Sequence, residues 1–71
     1  ADPADCLVIE DSVAGVTAAR RAGMNVVGFV GGGHVTAGLG ERLRAAGAAE
    51  IFGHHADLPR ILADHLPRAA A

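Results

Sequence analysis

Three short, mostly apolar runs, at residues 6–9, 25–30 and 50–52, alternate with segments of helical length whose apolar residues fall on one side. This alternation restricts the fold more than any other feature. Cys6, Leu7, Val8 and Ile9 are apolar at every position. Such a run has no polar side to give to water and reads as a strand covered on both faces. Strands joined through helices build βαβ units around a parallel sheet, with right-handed crossovers. The sequence therefore predicts an α/β fold of three parallel strands alternating with three helices, the strand at 25–30 lying between the other two.

Local signals set the boundaries. Asp2 and Pro3 mark a turn before the first strand. Asp11 or Ser12 opens the first helix, since either side chain can accept from the free N–H groups of its first turn. That helix is expected to reach about Ala22. Arg20 and Arg21 then stand near its negative end, and Gly23 follows as a left-handed terminator with Met24 packing back. Thr36 is expected to cap the second helix, with Leu39, Leu43 and Ala46 on one face, and Gly47 ends it. Asp57 is expected to cap the third helix, with Pro59 in its first turn and Leu58, Ile61, Leu62, His65 and Leu66 as its stripe. Pro67 stops it, and residues 68–71 read as a frayed tail.

Composition excludes several functions. The net charge is −2 and all six basic residues are Arg, none of them in a long basic run. A binder held to nucleic acid through phosphate charge is thereby disfavoured. Without Trp or Tyr there is no platform for stacked bases. The single Cys excludes an intramolecular disulfide and a multi-Cys zinc site, and Cys6 reads as a buried thiol. No apolar stretch approaches the ~20 residues that cross a bilayer, and no secretory signal pattern is present. A cytoplasmic protein with neither a nucleic-acid nor a membrane partner is expected. At 71 residues the chain is one small domain or part of one, and it begins at Ala1 rather than Met.

In parallel sheets ligands bind beyond the carboxyl ends of the strands. Three segments fall there: Glu10, Asp11 and Ser12; Gly31 to His34; and Gly53, His54 and His55. Two adjacent carboxylates at the end of an apolar strand are costly unless they bind something or cap the helix. Asp11, further out on the rim, is the better direct metal ligand, and Glu10 an auxiliary carboxylate acting through water. Mg²⁺ suits this pair, because it keeps several waters and takes one or two carboxylates plus substrate phosphate. On spacing alone, Asp11 as a helix cap with Glu10 partly solvated is an equal reading. The Gly31 to Gly33 run fits neither G-x-G-x-x-G nor the P-loop, which needs a Lys. It reads as a strand-to-helix loop. The four histidines have no metal-ligand spacing and read as solvated loop residues.

Val8, Ile9, Glu10, Asp11 and Ser12, followed by Gly15, Val16, Ala18, Ala19, Ala22, Gly23 and Met24, resemble the fourth motif of the haloacid dehalogenase superfamily. The resemblance covers residues 5–30 and is to the phosphatase branch that includes β-phosphoglucomutase. It implies a Rossmann-like core and transfer or hydrolysis of a phosphoryl group on a small phosphorylated metabolite, with Mg²⁺ as cofactor. It further implies that Asp11 is a metal ligand and Glu10 its auxiliary. In that family the nucleophile is an Asp in a D-x-D motif, and a Lys holds the phosphate. This chain has no two Asp residues two apart and no Lys. The whole of 1–71 is thus expected to be the C-terminal portion of a larger hydrolase core, without nucleophile strand or cap domain and without catalytic residues of its own. Its expected partner is the N-terminal half of that enzyme, or another chain, at the edge of strand 6–9. The alternative from the residues is a small receiver-like or ligand-binding α/β module with Glu10 and Asp11 as an acidic pocket.

Overall fold

The computed structural model describes residues 2–32 and 37–66. Strands β1 (Leu7–Glu10), β2 (Asn25–Phe29) and β3 (Ile51–Phe52) alternate with helices α1 (Val13–Arg21), α2 (Leu39–Ala46) and α3 (Leu58–His65). Short 3₁₀ turns precede β1 at Pro3–Asp5 and α3 at His55–Asp57. The sheet order is β1-β2-β3, and both pairings are parallel. The α/β class, the parallel sheet and the central position of the second strand are as the alternation predicts.

The strand period sorts the core into two sides. Val8, Val26 and Ile51 meet Val16, Ala19, Leu43 and Ala48 on the side of α1 and α2. Leu7, Val27, Phe29 and Phe52 meet Leu58 and Ile61 on the side of α3. Val16, Val27, Leu43 and Ile61 are fully buried, each burial being worth about 1.5–3 kcal/mol. Gly28 lets α2 come close: a Cβ there would stand 2.7 Å from Ile51 Cδ1 and 3.0 Å from Leu43 Cδ1.

Several expectations need correction. The first strand is not covered on both faces, since Ile9 is 38% exposed; α3 reaches Leu7 but lies mainly over β2 and β3. Cys6 lies just before β1 and is only half-buried, with its Sγ 3.7 Å from the Asp2 carbonyl oxygen. Asp57 precedes α3, but its side chain accepts no capping bond. The reason is conformational: Asp57 is already helical, at φ −80° and ψ −11°, because a 3₁₀ turn leads into the helix. An accepting cap needs an extended backbone. The capping residue of α2 is Gly38, left-handed at φ 79°; Gly33, His34, Thr36 and the tail beyond Leu66 lie outside the described residues. Leu62 and Leu66, assigned to the apolar stripe of α3, are exposed.

β1 stands at one edge of the sheet and, among the described residues, pairs with β2 alone. The Cys6 carbonyl accepts from Asn25 N–H at 3.1 Å. In a parallel ladder the bonding residues alternate, so Val8 and Glu10 face β2 while Leu7 and Ile9 turn their N–H and C=O groups to the open edge.

Candidate functional site

The chain leaves β1 at Glu10 and enters α1 at Val13, so Asp11 and Ser12 form the turn at the carboxyl end of the edge strand. Ser12 is the capping residue. Its backbone is extended, at φ −128° and ψ 149°, and its Oγ accepts from Gly15 N–H at 3.0 Å. Of the two predicted caps, Ser12 takes the role and Asp11 is released from it.

Glu10 folds back over the first turn of α1. Its Oε1 accepts from Asp11 N–H at 3.1 Å and from the Ser12 hydroxyl at 3.3 Å. The positive end of the helix favours a carboxylate there. Gly15 leaves the room: a Cβ at that position would run into the Glu10 carboxyl group. Asp11, by contrast, is exposed and its carboxylate has no hydrogen-bond or ion-pair partner among the described residues. The two adjacent acids are thus unequal, one committed to the turn and one open.

A hard oxygen donor of this kind fits Mg²⁺, which needs only one or two protein carboxylates. Among the described residues no three His, Cys, Asp or Glu side chains group to hold a metal ion.

The rest of the rim is built differently. A Cβ on Gly31 would meet the Gly53 carbonyl oxygen, so Gly31 is accounted for by close packing of the loops after β2 and β3. His54 and His55 are exposed, and the His55 ring packs on Phe29 with centroids 4.9 Å apart. His65 is bound at 2.8 Å to Glu50. Two features escape the sequence reading. Gly15 carries a local signal, since glycine is a poor residue for a helix interior. The Glu50, Arg60 and His65 cluster carries none, because its members are 10 and 15 residues apart.

Fold and rim together define an α/β protein with an acidic turn at the end of an edge strand. The chain is similar to a crystal structure of a conserved haloacid dehalogenase-like protein of unknown function from Agrobacterium tumefaciens. The two share 41% identity with a TM-score of 0.86, over 89% of this chain and 28% of the other. The chain belongs to the haloacid dehalogenase-like superfamily, and it spans little more than a quarter of that relative's length. No family model matches it, and no curated protein does. No helix among the described residues is long and apolar enough to cross a membrane.

Proposed function

We propose that this chain is the C-terminal segment of a cytoplasmic, Mg²⁺-dependent phosphoric monoester hydrolase or phosphomutase acting on a small phosphorylated metabolite. The observation that carries the reading is the Asp11 carboxylate at the carboxyl end of β1, without a partner among the described residues, in a chain of this superfamily. When bound, Mg²⁺ offsets the negative charge of the phosphoryl group. Asp11 holds the ion from this side, and Glu10 adds a second negative charge beside it. Ser12 and Gly15 keep the turn in place. The groups that attack phosphorus and move the proton come from the upstream part of the enzyme. Its nucleophile strand occupies the open edge of β1, pairing with Leu7 and Ile9.

The test is Asp11→Asn in the complete enzyme, which keeps size and removes charge. The Mg²⁺ concentration for half-maximal rate should rise, and activity fall, by at least the roughly 10–100-fold typical for loss of a metal's outer partners. An unchanged Mg²⁺ dependence would overturn the assignment.

A further inference from the structure

We propose that Glu10 is a positioning residue and not a metal ligand, and that Gly15 exists to make room for it; this rests on the Mg²⁺ reading of Asp11. Two independent observations point here. The Glu10 Oε1 atom already accepts two hydrogen bonds, from Asp11 N–H and the Ser12 hydroxyl. And the first turn of α1 has no side chain at residue 15, where any Cβ would displace that carboxylate. The second is a cost carried within the helix, since Gly disfavours helix by about 1 kcal/mol relative to Ala.

The geometry explains how one acid serves the other. Holding Asp11 N–H fixes the backbone from which the Asp11 side chain springs, and so sets the direction in which that exposed side chain leaves the turn. Holding the Ser12 hydroxyl proton leaves the Ser12 oxygen lone pairs for Gly15 N–H, which keeps the cap closed. Glu10, Ser12 and Gly15 form a closed relay, and Asp11 is the member it presents. The expectation of Glu10 as an auxiliary ligand through water gives way to a role in the backbone of the turn.

The roles separate by experiment in the complete enzyme. Glu10→Gln keeps an oxygen that accepts both bonds and loses the charge. Glu10→Ala loses both. Gly15→Ala leaves every acid intact but fills the cradle. Two quantities are read: the Mg²⁺ concentration for half-maximal rate, and the hydrogen-exchange rate of the Asp11 amide without Mg²⁺. Glu10→Ala and Gly15→Ala should each speed the Asp11 amide and raise the Mg²⁺ requirement roughly 10-fold or more. Glu10→Gln should leave the amide protected and raise the Mg²⁺ requirement by clearly less. A Glu10→Gln enzyme as impaired in Mg²⁺ as Asp11→Asn would overturn the proposal, as would a Gly15→Ala enzyme that matches the wild type in both measures. Should Gly15→Ala not fold, the Gln and Ala variants at residue 10 still decide. If Asp11→Asn alone leaves the Mg²⁺ dependence untouched, the Mg²⁺ reading has failed, whereas the amide measurement still reports whether Glu10 holds the turn.

Discussion

Arg60 on α3 grips the Glu50 carboxylate with both ends of its guanidinium, Nη2 to Oε2 at 2.7 Å and Nη1 to Oε1 at 3.3 Å. Glu50 immediately precedes β3, so this pair ties the last helix to the sheet by a polar contact as well as by Ile61. His65 adds a third contact to the same carboxylate, and Arg60 also reaches Asp64 at 3.1 Å.

Hydrogen bonding from Arg60, and then from His65, lowers the Glu50 pKa from 4.5 to about 2. A carboxyl group whose pKa is depressed on folding contributes stability that is complete above its unfolded value and is lost as pH falls toward the folded one. The contribution should therefore fade between about 4.5 and about 2. Thermal unfolding followed across that range should show the wild-type midpoint dropping more steeply than that of Glu50→Gln. Parallel curves for the two proteins would remove Glu50 from the acid response.

At Gly28 of β2 the α2 side chain of Leu43 packs closely on the strand. An alanine there meets Ile51 Cδ1, which can swing away, but also the buried Leu43, whose Cβ lies 3.2 Å from the new atom. Overpacking of this kind costs about 1–3 kcal/mol. Gly28→Ala should lower the urea midpoint accordingly, without a change in the denaturant slope.

The open edge of β1 makes its amides unequal. In the dilute monomeric chain, Leu7 and Ile9 amides should exchange with solvent faster than those of Val8 and Glu10, which bond to β2. At higher concentration the same edge should recruit other strands, since no Pro or Lys blunts it. Sedimentation should then show self-association that Ile9→Lys reduces. Equal protection at all four amides in the monomer would mean that the edge is not open.

The chain by itself has neither a D-x-D pair nor a Lys. The purified 71-residue chain should therefore not turn over p-nitrophenyl phosphate at any Mg²⁺ concentration. Mg²⁺-dependent hydrolysis by this chain alone would show that a nucleophile is present within it and would reject the segment reading.

What the sequence determined by itself was carried by short-range pattern. The all-apolar run at 6–9 and the mostly apolar run at 25–30 announced strands, Asp11 or Ser12 and then Gly23 bracketed α1, and the succession of elements imposed a parallel sheet. The cap and terminator were legible because they depend on neighbouring residues, where a free N–H and a positive φ can be satisfied only locally. Asp11 and Glu10 were recognisable as a pair for the same reason, but not their division of labour. That division depends on the return of the Glu10 side chain onto Gly15, a contact that forms only once strand and helix are set at their angle. Tertiary structure also decided that Ile9 stays exposed, because it depends on how far α3 extends across the sheet. It decided that Asp57 does not cap, because a 3₁₀ turn had already coiled the backbone. And it alone joined Glu50 to Arg60 and His65, since no periodicity links residues on a strand's approach and a helix beyond a loop. Pattern fixes which face of each element is apolar, whereas the packing of one element on another chooses which polar groups meet.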